Sequence, residues 1–134
     1  MPRTAASRKT KSAPSAAVTI TLPALAKGEI YAGVLLKDGQ PSHHLVLLPG
    51  ETTAAWKSAI AWAKDQGGEL PTRKEQALLL ANAADQFKRD WYWSSEEYAG
   101  SAYFAWFQFF GTGDQSYDHK SGRYRARVVR RVAI

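Results

Sequence analysis

The sequence predicts one α+β domain, because extended patterns at both ends of the chain enclose two helical ones. Its 134 residues are enough for a single domain with a real hydrophobic core. A third observation is that residues 91–124 hold 12 of the 16 aromatic side chains. Aromatic side chains are large, apolar and stiff, so this density must either fill the core or form a contact surface.

The first 16 residues are predicted to be a flexible basic arm, and residues 17–134 to be the folded domain. The arm carries positive charges on Arg3, Arg8, Lys9 and Lys11, with no negative charge and no large apolar residue after Met1. Such a segment cannot bury enough surface to offset the entropy of ordering. Most of the formal net charge of +6 therefore lies outside the domain.

Three strands are predicted before the first helix. Residues 18–22 alternate apolar side chains with threonines, the period-two pattern of a half-buried strand, and Pro23 ends this run. Residues 29–36 and 44–48 form two further extended runs. The Asp-Gly pair at 38–39 has the turn chemistry that joins them as a hairpin.

Two helices are predicted in the middle of the chain. Thr52 or Thr53 is expected to cap the first, whose apolar residues recur at helical spacing from 56 to 63. The second begins at a capping box, Thr72-Arg73-Lys74-Glu75, and runs to about Phe87. We expect both helices to pack against a sheet.

The aromatic half of the chain is predicted to return to strands. Residues 103–110 are apolar on both strand faces apart from Gln108, which indicates a central strand covered on both sides. A turn follows at 111–114. Residues 123–128 then alternate arginines with apolar residues, so the last strand is predicted to have one core face and one arginine face.

Composition and motifs exclude several kinds of site. The chain has no cysteine, which excludes disulfides, thiolate nucleophiles and zinc sites built on sulfur. It has no P-loop, HExxH or dinucleotide fingerprint. His43 and His44 are neighbours on a predicted strand, so they point to opposite faces and cannot bind one metal together. We expect no cofactor and no metal.

Two polar clusters are weak candidates for acid–base or nucleophilic catalysis. The Glu96-Glu97 pair lies in an extended segment, where neighbouring carboxylates diverge. His119 is close in sequence to Asp114, Ser116 and Asp118, but no nucleophile elbow or identifiable oxyanion hole accompanies them. The sequence therefore predicts a protein that is not an enzyme.

Four segments resemble, in order and spacing, the Lcl C-terminal domain family: AWAKDQGGELPTRKEQALLL, WYWSSEEY, AWFQFFGTGDQ and RYRARVVRRV. That family is related in fold to C-type lectins, formylglycine-generating enzymes and retroelement-diversified variable proteins. The resemblance implies a C-type-lectin-like fold, with antiparallel sheets, two flanking helices and paired N- and C-terminal strands. It also implies structural roles for residues 70–73, 93–95 and 127–132.

The sequence departs from two activities of these relatives. Formylglycine-generating enzymes hold copper with paired cysteines, and this chain has none. Calcium-dependent lectin sites resemble Glu-Pro-Asn and Trp-Asn-Asp motifs, which place oxygen ligands on a hard cation, and both are missing from this sequence. The missing motifs do not exclude sugar binding by stacking of aromatic side chains.

The predicted function is recognition of a ligand by aromatic and polar loop residues. Recognition loops favour tyrosine, which gives contact area with few torsions, and polar residues that supply hydrogen bonds. Trp91, Trp93 and residues 106–110 are instead assigned to the core. The candidate ligand-binding residues are Tyr98, Ser101, Tyr103, Asp114, Gln115, Ser116, Tyr117, Asp118 and His119.

The expected partner is a protein or a glycan, with the basic arm anchoring the domain to a larger assembly. The sequence shows neither a secretory signal nor a membrane span, so synthesis in the cytoplasm is expected. A phage or prophage virion protein would combine that origin with action outside the cell.

Two other functions remain open at this point. One is a small intracellular regulator that binds nucleic acid or an acidic host protein through a basic patch. The residues of that patch are Arg3, Arg8, Lys9, Lys11, Arg123, Arg125 and Arg127. The other is a structural subunit that buries its aromatic surface in an oligomer.

Overall fold

Two sheets and two helices build the part of the chain that the computed structural model describes, residues 19–134. This architecture confirms the α+β class. The elements, in chain order, are β1 (Ile30–Lys37), β2 (Gln40–Leu47), β3 (Thr52–Ala54), α1 (Trp56–Asp65), α2 (Arg73–Ala83) with a 3-10 turn (Ala84–Gln86), β4 (Trp91–Glu97), β5 (Phe104–Phe109), β6 (Gln115–His119), β7 (Tyr124–Ala126) and β8 (Val129–Ala133).

The first sheet joins the two ends of the domain, in the order β1-β2-β8, and is antiparallel throughout. Its hairpin turns at Asp38 and Gly39, whose φ angles of 52° and 78° are those that a tight two-residue turn requires. β2 pairs with β8 from Leu47 opposite Val129 to His43 opposite Ala133. The predicted hairpin is thereby confirmed, and its second strand pairs with the C-terminal strand.

The second sheet has the order β3-β7-β4-β5-β6 and is mixed, because β4 and β7 run parallel while the other pairs are antiparallel. Both faces of β4 are buried. Trp93 packs with Phe107 in the core on the α1 side, and Tyr92 packs with Leu79 in the core on the α2 side. The two helices therefore flank this sheet, as expected.

Of the two predicted helix caps, one is confirmed and the other is wrong. The capping box is confirmed, since the Thr72 hydroxyl accepts from the Glu75 amide and Glu75 accepts from the Thr72 amide. The predicted cap of α1 at Thr52 or Thr53 is wrong, because both residues belong to β3 and pair with β7. α1 follows Ala55, which makes no side-chain cap, and the Trp56 amide donates to the Lys120 carbonyl at 3.0 Å.

The strand predicted at 18–22 is not formed by its described residues. Thr19 to Leu22 lie outside both sheets and are exposed, while Val18 lies outside the described residues. The alternating pattern shows that a segment can pair, but pairing also needs an available neighbour. The arm at 1–16 likewise lies outside the described residues.

The last predicted strand is interrupted between β7 and β8, and its arginine face is not formed as predicted. Arg127 is buried, because its guanidinium turns inwards at the interruption. There it donates to the carbonyl oxygens of Gln86 and Leu48. Residues 19–134 include no helix with the length and apolarity needed to cross a membrane.

Candidate functional site

One face of the β5–β6 pair carries three of the candidate residues, Gln115, Tyr117 and His119. The strands are antiparallel, so directly opposite residues project to the same face. Three cross-strand pairs lie on it: Phe104 with His119, Trp106 with Tyr117, and Gln108 with Gln115. α2 begins at Arg73 and covers the Gln108 end of this face. The Trp106 end is only partly buried, so the predicted two-sided burial of this strand is wrong there.

Aromatic rings pack against each other on the uncovered part of this face. Tyr98 and Tyr117 are stacked, with centroids 3.8 Å apart and an interplanar angle of 8°. Both form T-shaped pairs with Trp106, at centroid distances of 5.7 and 5.2 Å. The Arg73 guanidinium lies over the Trp106 ring, 3.5 Å from its centroid. The prediction that Trp106 belongs to the core is wrong, because this partly buried side chain lies in the cluster and in neither hydrophobic core.

The exposure of Tyr117 and of a further tyrosine, Tyr103, shows how accessible the cluster is. Tyr117 is 40% exposed and Tyr103 is 70% exposed, which is high for large side chains. The Tyr103 ring is parallel to that of His119, with centroids 6.2 Å apart. We call the set Tyr98, Tyr103, Phe104, Trp106, Tyr117 and His119 the aromatic surface.

A hydrogen-bond network holds the covered end of the face in place. Gln115 accepts from Arg73 Nε at 2.9 Å and donates to the Arg73 carbonyl and to Gln108 Oε1, both at 2.8 Å. Gln108, which is buried, donates to the Gln76 carbonyl at 2.9 Å. Because Arg73 also lies on Trp106, the network fixes the position of the cation beside the aromatic surface.

A cleft of about 850 Å³ opens between the start of α2 and the β5–β6 turn. Its walls carry both charges, with Arg73 and Lys74 on the helix and Glu96 and Asp114 opposite. The helix start is not an available anion site, because the Arg73 amide donates to Glu96 Oε2 at 2.8 Å. The cleft therefore suits a neutral polar group or one of mixed charge.

The candidate ligand-binding residues divide into separate environments. The prediction that residues 115–119 lie in a loop is wrong, because they form the edge strand β6. Its alternation sends Ser116 and Asp118 to the face opposite Tyr117. Tyr98, Tyr103, Tyr117 and His119 share the aromatic surface. Asp114 and Gln115 line the cleft. Ser101 shapes the turn before β5, where its hydroxyl accepts from the Tyr103 amide at 3.2 Å.

Sequence reasoning missed three functional candidates, Arg73, Phe104 and Trp106. The alternation in residues 104–109 could have placed Phe104 and Trp106 on one face with Gln108. No local pattern could have predicted the contact between Arg73 and Trp106, because 33 positions separate them and the contact depends on how α2 crosses the sheet.

The polar groups considered for catalysis are held by other partners. His119 Nδ1 accepts from the Ser121 amide at 3.1 Å and lies 2.7 Å from the Ser121 hydroxyl. The Asp118 carboxylate binds the Tyr124 hydroxyl and the His119 amide rather than the imidazole. Ser116 is on the opposite face of β6. These residues therefore do not assemble a catalytic triad.

The C-terminal arginines are mostly neutralised by carboxylates. Arg125 binds Glu51 at 2.8 Å and Asp90 at 2.7 Å. Hydrogen bonds from Arg125 are the main reason that the pKa of Asp90 is lowered. Arg123 is exposed and donates to the Thr53 carbonyl at 3.0 Å. With Arg127 buried, these three residues do not form one accessible basic patch. Arg3, Arg8, Lys9 and Lys11 lie outside the described residues.

The two adjacent histidines reach different partners. His43 Nε2 lies 2.8 Å from Glu75 Oε2, and His44 Nδ1 lies 2.8 Å from the Tyr31 hydroxyl. In the range 19–134, no group of three or more His, Asp or Glu side chains is arranged to hold a metal ion.

No protein-family model matches this chain, and no curated protein matches it. The described residues provide three features that bear on function: an exposed aromatic surface, one cation fixed beside it, and a cleft along its covered end.

Proposed function

We propose that this protein is a non-enzymatic recognition module with a C-type-lectin-like fold that binds a protein or a glycan. The ligand contacts the aromatic surface and the adjoining cleft. The observation that carries this proposal is the packing of Tyr98, Trp106 and Tyr117 with Arg73 outside both hydrophobic cores.

The residue types and their rigidity support binding at this surface. Tyr, Trp and Arg are the side chains that most often dominate the energy of protein interfaces. Ring stacking and the Gln115 network hold Trp106 and Arg73 in place before any ligand arrives. A preorganised surface loses little conformational entropy on binding, so more of the contact energy contributes to affinity.

The proposed fold is supported by the topology. A C-terminal strand pairs with the N-terminal hairpin, and two helices flank the larger sheet, an arrangement that matches what the family resemblance implies. In a virion-associated protein the recognition surface would face the target, and the arm at residues 1–16 would attach the domain to the particle.

The arginine contacts favour ligand recognition by the aromatic surface over nucleic-acid binding by the arginines. Arg125, Arg130 and Arg131 each bind at least one carboxylate in the described part of the chain. Paired arginines release few counterions when they meet a phosphate backbone. We therefore expect the affinity for the ligand to depend only weakly on salt.

A glycan array and a displayed peptide library, both probed with the full-length protein, test the proposal. Tyr117→Ala and Tyr103→Ala should each weaken the strongest binding by about tenfold or more, because loss of an interface hot spot costs about 2 kcal/mol. Leu36→Ala is the matched control, since Leu36 is exposed on β1, away from the aromatic surface. Unchanged binding by both tyrosine variants, with intact folding, would contradict the proposed site.

A further inference from the structure

A strand-forming segment is unpaired at the start of the described chain. Thr19 to Leu22 alternates threonine with large aliphatic residues, yet it belongs to neither sheet. Its two apolar side chains are partly exposed, Ile20 to 39% and Leu22 to 65%. The pairing capacity and the apolar surface of this segment are both unused.

The residues that follow the segment are attached firmly to the domain. Arg130 donates to the Ala24 carbonyl at 3.0 Å and binds Glu29 at 2.8 Å. The Ala26 amide donates to Glu29 at 2.8 Å. The segment therefore leaves the domain from a defined point beside β8 and is available to a neighbouring molecule.

Three of the four sheet edges are irregular, short or partly bonded to other residues. On β1 the ladder is irregular around Ala32, whose carbonyl accepts from the Asn82 side chain at 2.6 Å. On β8, Val129 exchanges two backbone hydrogen bonds with Glu69, at 2.9 and 2.8 Å. β3 has three residues, and the Thr53 carbonyl accepts from Arg123.

β6 is the fourth edge, and its centre is open. Two hydrogen bonds show which residues face β5: Phe109 N to Asp114 O at 2.8 Å, and Lys120 N to Tyr103 O at 2.9 Å. By antiparallel alternation, the even-numbered residues of β6 bond to β5 and the odd-numbered ones point outwards. His119 uses its outward amide on the Asp118 carboxylate, whereas the outward amide and carbonyl of Tyr117 have no hydrogen-bond partner within residues 19–134.

The side chains of the segment match the two faces of this edge. A strand added to β6 places alternate residues beside Tyr117 on one face and beside Ser116 and Asp118 on the other. Ile20 and Leu22 would extend the apolar aromatic surface. The intervening threonines would meet the hydroxyl and carboxylate on the opposite face.

We propose that residues 19–22 of a second copy of this chain add as an antiparallel strand to the outer edge of β6. One chain carries both the donor strand and the acceptor edge, so two copies can exchange strands reciprocally around a two-fold axis. Each dimer then contains two strand additions. This inference goes beyond the proposed recognition of a ligand and does not depend on it.

Sedimentation of the full-length protein over a range of concentrations tests the exchange. We expect a concentration-dependent monomer–dimer equilibrium, which Leu22→Lys should weaken at least about tenfold, because the charge would be placed on the aromatic surface. Leu25→Lys is the matched control, since Leu25 is exposed beyond Pro23 and outside the donor strand. A monomer at every concentration, or equal weakening by both variants, would overturn the proposal.

The acceptor edge has its own matched pair of variants. Tyr117→Ala and Tyr117→Pro both remove the ring, but only proline also removes the outward amide, which is not bonded to β5. The proline variant should therefore dimerise at least about tenfold more weakly than the alanine variant. Equal dimerisation by the two variants would refute strand addition at β6.

A mixing experiment tests reciprocity. Leu22→Lys chains keep an intact acceptor edge, and Tyr117→Pro chains keep an intact donor strand, so one strand addition should be restored when the two are mixed. Association of the mixture should exceed that of either variant alone, and no gain would contradict the exchange. At concentrations where the protein is monomeric, Leu22→Lys should leave ligand binding unchanged, because Leu22 is not part of the aromatic surface of its own chain. This proposal can therefore fail independently of the proposed function.

Discussion

Glu75 offers the most informative perturbation of the fold, because one buried carboxylate connects three elements. Its side chain is 1% exposed and binds Arg131 of β8 at 2.6 Å, His43 of β2 at 2.8 Å, and the Thr72 amide at 2.8 Å. Burial alone would raise the pKa of Glu75, but the hydrogen bonds from Arg131, Thr72 and His43 outweigh it, so the pKa is lowered. The carboxylate is therefore ionised at neutral pH.

Two substitutions separate the charge from the helix cap. Glu75→Ala removes both. Losing one partner of a buried ion pair costs about 3–5 kcal/mol, and we expect the lower end because Arg131 keeps Glu69. Glu75→Gln can still accept from the Thr72 amide, as glutamine does in capping boxes. It should cost about 2 kcal/mol, since a capping interaction is worth roughly 1 kcal/mol.

The pH dependence gives a second criterion. The pKa of Glu75 is lower in the folded state than in the unfolded state, so its stabilisation is present above the unfolded value of 4.5. That stabilisation is lost as the pH falls through the lower, folded value. The difference in unfolding free energy between wild type and Glu75→Gln should therefore be large near neutral pH and shrink in acid.

Urea denaturation at neutral pH and at about pH 3 measures both effects, and thermal melts should show Tm lowered by about 10 °C for Glu75→Ala at neutral pH. Lys64→Ala, at an exposed position near the end of α1, is a control that should change little. The reasoning is refuted if Glu75→Ala is as stable as wild type, or if the Glu75→Gln difference is the same at both pH values.

Two further predictions concern the core and a tight approach of the backbone. The Tyr92 hydroxyl donates to Glu51 at 2.6 Å, and burial together with this bond raises the pKa of Tyr92 to about 12. The stabilisation that the Tyr92 hydroxyl contributes is fully present below its unfolded pKa of 10.0, and it is lost as the pH rises through the higher pKa of the folded state. Tyr92→Phe should therefore lower the unfolding free energy by about 2 kcal/mol at neutral pH. Between pH 10.0 and about 12, denaturation curves should show that the variant loses less stability than the wild type, and an equal loss would contradict this. A Cβ on Gly68 would lie 2.2 Å from the Val129 carbonyl oxygen, whereas a Cβ on Gly67 meets nothing within 4 Å. Gly68→Ala should cost about 3 kcal/mol or more, and Gly67→Ala about 1–2 kcal/mol for its positive φ; the opposite order in urea denaturation would show that the backbone here gives way.

The confirmed predictions rest on interactions between residues close together in the chain. The Asp38-Gly39 turn needs two residues that tolerate positive φ, and the capping box needs only Thr72 and Glu75 at the correct spacing. Local chemistry decides such features, so they can be predicted without knowing what packs against them.

The wrong predictions concern which neighbour a segment meets. The threonines at 52 and 53 are suited to a helix cap as well as to a strand, but they pair with β7 and therefore belong to the sheet. Trp106 lies in a strand as predicted, but α2 begins at Arg73 and leaves the Trp106 side chain only partly buried. Arg127 follows an exposed pattern, but the break between β7 and β8 turns it to the buried Leu48 carbonyl.

The sequence by itself determined the α+β class, the hairpin at Asp38-Gly39, the two central helices and the concentration of aromatic side chains in the second half. Only the tertiary structure decided which of those rings face solvent and that Arg73 lies on Trp106. It also decided that, within residues 19–134, the segment at 19–22 joins neither sheet and β6 is an edge strand. The physical reason is that hydrophobic periodicity specifies the faces of an element, whereas exposure depends on where distant elements begin and end.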